Sequence, residues 1–328
     1  MNNTHVSPLF GSLCVRPTCL MLVALVAAGA MVSTSHAQIY VSSENLGGVY
    51  NGTLDEFNMD GSYNQNLAAG LYAPAQVTVT NGAVYVGDAS NQGTVGQASN
   101  GGFNGSFVTG LTGVTAAVAG IGNTLYVADY TTGTIGTYDA TTGAAINASL
   151  ITGLNGTVSL AISNGELFAL NLGTGTVSSY TLAGALVNSN LVTFTSGTTG
   201  MAVSGNTLYL DSSNGVGEFD ATTGSAINAS LVTGLGGDQV SGLAVSGGDL
   251  YVIENALGQV GEYDAVTGAV VNAALITGLS NPAGIAIGTA GVSPVPEPLW
   301  AGVAALLPIA AVVWIRQRRA AALCPVKV

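Results

Sequence analysis

The chain has 328 residues, of which 7% are charged and 47 are Gly; five Lys and Arg stand against seventeen Asp and Glu, for a formal charge of −12. From Gln38 to Pro294 there is no Lys, Arg, His, Cys or Trp. That stretch therefore lacks the cations that hold nucleic acid or nucleotides, the usual base for a Ser or Cys nucleophile, the usual zinc ligands and any disulfide. Carboxylates, hydroxyls and amides remain, which suit a hard cation such as Ca²⁺ or a carboxylate pair for glycoside hydrolysis.

Residues 1–37 read as a secretory signal peptide. Arg16 is its positive charge, Leu20 to Val32 its apolar core, and Ser35-His36-Ala37 a small-residue cleavage site before Gln38. The core is shorter than the ~20 residues a spanning helix needs, which argues against an N-terminal anchor. Neither Cys14 nor Cys19 sits in a lipobox.

Residues 38–294 are built from repeats, and the period is the first feature to read. A strand-like triplet recurs at Ile39-Tyr40-Val41, Val84-Tyr85-Val86, Leu125-Tyr126-Val127, Leu167-Phe168-Ala169, Leu208-Tyr209-Leu210 and Leu250-Tyr251-Val252. Asp139 to Leu154 recurs as Asp220 to Leu235 with fourteen of sixteen positions identical, and more loosely as Asp264 to Leu279. The unit near Gly200 shows the internal plan. Met201 to Ser204 and Thr207 to Leu210 flank Gly205-Asn206, a hairpin signal. Val216 to Phe219 follows, then the turn Asp220 to Gly224, then Ala226 to Val232.

Four antiparallel strands per repeat of 40–45 residues predict a blade, and six repeats predict an all-β, six-bladed β-propeller. The chain enters out of phase, at a second strand, and leaves with a spare first strand, Ala283 to Ile287. Pairing the two would close the ring. A β-solenoid is the alternative, but its strands are parallel and leave the hairpins unexplained. Leu125 to Asp129 with Thr134 to Asp139 resembles the NHL-type propeller repeat, without the Arg common near its third strand. The Asp-x-x-Thr-Gly turns resemble those of quinone-dependent dehydrogenase propellers, without the Trp that follows there. No cofactor and no catalytic residue carries over from either.

Four residues after each triplet start stands a polar residue: Ser43, Asp88, Asp129, Asn171, Ser212 and Glu254. Asp88, Asp129 and Glu254 form a candidate rim for Ca²⁺ or a polar ligand. The competing reading is that each caps its strand through backbone N–H groups, as turn Asp and Asn do. Asn51, Asn104, Asn147, Asn155 and Asn228 head Asn-x-Ser/Thr sequons.

The C-terminus has three parts: Val295-Pro296-Glu297-Pro298, the uncharged run Leu299 to Ile315, and a basic tail, 316–328, with Arg316, Arg318 and Arg319. The run is near the short limit for a transmembrane helix, and Trp300 and Trp314 flank it as interfacial aromatics do. The arginines place its end in the cytoplasm by the positive-inside rule, which leaves 38–294 outside the inner membrane. The arrangement resembles the PEP-CTERM sorting signal. That resemblance implies recognition by an exosortase-type enzyme, cleavage near Pro296-Glu297-Pro298, and delivery to the surface or exopolysaccharide matrix of a Gram-negative bacterium. A plain C-terminal anchor is the alternative. The expected role is non-enzymatic, binding or structural, with a carboxylate-dependent glycosidase or lyase on exopolysaccharide as the rival.

Overall fold

The computed structural model describes residues 36–44, 51–89, 93–111, 115–194, 197–212, 215–235 and 240–290. The sorting motif, the apolar run, the basic tail and nearly all of the signal peptide lie outside these. No helix among the described residues is long and apolar enough to cross a membrane.

Six four-stranded antiparallel sheets follow one another along the chain. In blade three the inner strand Thr115–Ile121 pairs with the second, Thr124–Asp129, then the third, Thr134–Asp139, then the outer, Ala145–Ile151. Each inner strand packs against the inner strands of both neighbouring blades, so the six form a closed ring. The chain is a six-bladed β-propeller. Blade one is completed as the out-of-phase ends require: Pro282–Gly288 pairs antiparallel with Gln38–Ser43, Ile285 opposite Val41. Ring closure leaves no inner sheet edge open.

The hairpin chemistry explains the turn between first and second strands in blades two to six. Asn81-Gly82 and Asn164-Gly165 both take positive φ at both residues, the type I′ pattern. In Gly122-Asn123 and Gly205-Asn206 only the Gly does. Second strands are buried along nearly their whole length, because blades cover both faces; this is why the triplets read as apolar runs. An apolar cluster fills each junction between blades. Between blades three and four, Ala117, Tyr126, Ile135 and Ile151 pack on Leu160, Leu167, Ala169 and Tyr180.

Three of the repeated tyrosines, Tyr85, Tyr126 and Tyr209, also bond across these junctions. Tyr126 donates its hydroxyl to the Leu182 carbonyl of the next blade at 2.9 Å, and Tyr209 to that of Ala265 at 3.1 Å. Tyr85 reaches the Ala140 carbonyl in the same way. On blade four Phe168 holds the position.

Candidate functional site

The inner strands converge on the axis, and the residue facing it must be small. Ala117, Ser159, Gly200, Gly242 and Gly284 each precede the apolar inner-strand residue that pairs with the end of a triplet. A Cβ on Gly284 would run into the Ala75 carbonyl. In blade two the same place holds Gln76. Its Oε1 accepts N–H groups of Leu160 at 3.0 Å and Val118 at 3.3 Å, and its Nε2 donates to the Leu160 carbonyl at 2.7 Å. One side chain thus crosses the axis and ties blade two to blades three and four.

Beside this crossbar lies a cavity of about 370 Å³. It opens where the second strands end, among Glu44, Ala89 and Asn255, and is walled by inner-strand residues such as Ser159, Gly200, Gly242 and Gly284. Among the described residues that line it, Glu44 is the only carboxylate. Asn281 donates to Glu44 Oε2 at 2.6 Å, while Asn255 and Ser241 both donate to the Pro282 carbonyl at 2.8 Å. With no cation in its wall, the cavity repels anions and suits an uncharged polar or a cationic group.

The sequence-predicted rim residues stand at this end of the ring, each in its own network. Asp88 accepts N–H groups of Tyr72 and Ala73 at 3.2 and 3.5 Å. Asp129 accepts those of Thr131 and Thr132, both at 3.0 Å. Glu254, buried, accepts the Tyr263 hydroxyl at 3.1 Å. Asn171 is buried and bonded to Thr157 and Ser178, Ser212 donates to the Gly215 carbonyl, and Ser43 Oγ is buried without a partner. The three carboxylates are not gathered at one point. Among the described residues no group of three or more His, Cys, Asp or Glu is placed to hold a metal ion.

One carboxylate near the cavity escaped the sequence reading. Asp211 precedes the rim position by one residue, and it is 2% exposed. Thr199 N donates to its Oδ1 at 2.8 Å, Gly200 N to its Oδ2 at 2.9 Å, and Thr199 Oγ1 to Oδ2 at 3.3 Å. Burial pushes its pKa up to about 7, against the lowering effect of these donors. In blade one Ser42 holds the same place, accepting the Gly284 N–H at 2.9 Å and donating to the Ala75 carbonyl at 2.7 Å.

At the opposite end of the ring, Asp139, Asp220 and Asp264 head the Asp-x-x-Thr-Gly turns. Asp220 accepts Thr222 N at 3.0 Å, Thr223 N at 2.7 Å and Thr223 Oγ1 at 2.9 Å. Asp139 and Asp264 are bonded alike, and these hydrogen bonds hold all three below the usual carboxylate range. Their work is turn chemistry.

No protein-family model matches the chain, and no curated protein matches it. Among solved structures, a chain of the crystal structure of a nidogen/laminin complex superposes with a TM-score of 0.59, covering 79% of this chain and 100% of that one at 12% identity. The computationally designed Ika8 protein gives a TM-score of 0.47, covering 72% of this chain and 76% of its own at 16% identity. At 12% identity the first likeness speaks to the fold alone.

Proposed function

We propose that this chain is an exported, acidic, non-enzymatic propeller of the cell surface or exopolysaccharide matrix, which binds a polymer or partner protein at the mouth of its central cavity. In this reading the leader exports it, the C-terminal helix holds it in the inner membrane, and an exosortase-type enzyme sorts it through Pro296-Glu297-Pro298. The observation that carries the binding role is the chemistry of the cavity. Its described lining presents one carboxylate, Glu44, already held by Asn281, amid amides, hydroxyls and backbone. Glycoside hydrolysis draws on two carboxyl groups about 5–9.5 Å apart across one cleft. A likeness in fold to a chain from a protein–protein complex is in keeping with a partner-binding role.

The test is the full chain incubated with exopolysaccharide from its own cells. Retention on the polymer without release of reducing or unsaturated ends is expected. Turnover that disappears in Glu44→Gln would establish the glycosidase or lyase instead.

A further inference from the structure

On the proposed reading of the leader, on which this inference rests, cleavage after Ala37 makes Gln38 the first residue of the chain. A Gln in that place can close a five-membered ring between its own α-nitrogen and its side-chain amide carbon, Cδ. Asn, one methylene shorter, would have to close a strained four-membered ring.

The fold sets this residue inside a sheet. Gln38 opens the second strand of blade one and is paired on both sides, with Asn58 of the third strand and Gly288 of the first. Ile39 to Ser43, which follow it, are buried, and Gln38 itself is partly buried. A new α-ammonium here is partly desolvated, which favours the neutral amine, the form with a nucleophilic lone pair. It would also be the one cation of the released form, since residues 38–294 hold no Lys, Arg or His. Nothing anchors the carbonyl of the side chain. Its Oε1 is buried and meets no donor among the described residues, an arrangement that costs stability while the oxygen stays there.

We propose that Gln38 is a modification site: once the leader is removed, its α-nitrogen closes on its own side chain, and the mature chain begins with a pyroglutamyl lactam. The α-nitrogen attacks Cδ and the N–Cδ bond forms. The Cδ–Nε2 bond breaks, and Nε2 leaves as ammonia with the proton that the α-nitrogen gives up. No oxidant, reductant or second substrate enters. In the precursor the same nitrogen is the amide of the Ala37–Gln38 bond and is no nucleophile, so cyclisation follows cleavage. The ring forms within one residue and leaves the strand in place. The lactam keeps one N–H for the ladder, removes the terminal charge, and draws the orphaned carbonyl back toward the start of the chain. Such a cap suits a protein of the surface or matrix. Aminopeptidases grip a free α-amine and trypsin-like proteases a Lys or Arg, and a cyclised 38–294 offers neither.

The test is the N-terminal peptide of the native protein, taken from membrane and extracellular fractions. Free amines of the intact chain are dimethylated first, so that no ring closes during handling, and a Glu-specific protease then cuts after Glu44. The expected peptide, 38–44, carries no label at its terminus and is lighter than the encoded sequence by one ammonia. The Gln38→Asn variant is expected to carry the label. A dimethylated Gln38 would overturn the proposal and leave the leader reading standing. An unlabelled terminus in Gln38→Asn would overturn it too, because a block indifferent to the side chain is not this ring. A chain labelled at Met1 would overturn the leader reading itself, and the cap with it.

Discussion

Asp211 shows how a shift of one residue changes the work of a carboxylate. In blades two, three and six the carboxylate ends the second strand, and its side chain bonds at the loop or within the blade. In blade five it stands one residue earlier. Side chains alternate across a strand, so it turns to the other face and enters the backbone of the inner strand. Its pKa rises to about 7 on folding, from an ordinary 3.8 in the open chain. The folded state therefore binds the proton more tightly. The stability that this contributes is fully present below the ordinary carboxylate value and is lost as pH rises through 7. Between pH 5 and 8.5 the melting temperature of the protein should fall, and in Asp211→Asn it should stay level, whatever its absolute value. A wild-type melting curve independent of pH over that window would contradict this. Counting from the triplets located Ser212, because a count fixes a position and only the pleat fixes a face.

At the level of elements, the strands and turns were legible because their chemistry is local. Gly205-Asn206 marks a hairpin, and Asp220 to Gly224 a turn that the Asp caps. Met201–Ser204 falls where the apolar run places it, and the last inner strand extends one residue beyond each end of the expected run, to Pro282–Gly288. What the turns contact was not legible. Gly224 has φ +72°, and a Cβ there would enter the carbonyl of Leu191, on the preceding blade. Gly143 and Gly268 meet Phe107 and Leu231 in the same manner. These glycines are thus seams between blades. Gly224→Ala should cost about 2–3 kcal/mol, from an unfavourable backbone conformation and the displaced carbonyl, read as a lower denaturation midpoint at unchanged slope. A neutral substitution would show that the blades separate there without strain. The Gln76 crossbar did leave a trace in the sequence: a long amide where the other blades have Ala, Ser or Gly. Its use across the axis emerges only when the inner strands of blades two, three and four stand side by side. The bulged outer strands were legible as strands but not as bulged ones, since Ala-Ile-Asn-Ala-Ser-Leu alternates too weakly to fix a register.

For the whole molecule, the ring was legible from the period and the phase of the ends, since a chain that starts on a second strand and finishes on a spare first strand can close only one way. The charge distribution sorts the surface by role. Among the described residues, carboxylates cap turns or lie between strands, the cavity mouth keeps one, and the outer strands have none. This division underlies the binding reading. It also frames the central claim, that the propeller works outside the cytoplasm between a leader and a sorting segment. The most direct measurement is the intact mass of the native protein, taken from membrane and extracellular fractions. The account predicts a chain beginning at Gln38 in the membrane, and a released form ending near Val295 to Pro298. A chain still beginning at Met1 and recovered from the cytoplasm would contradict it.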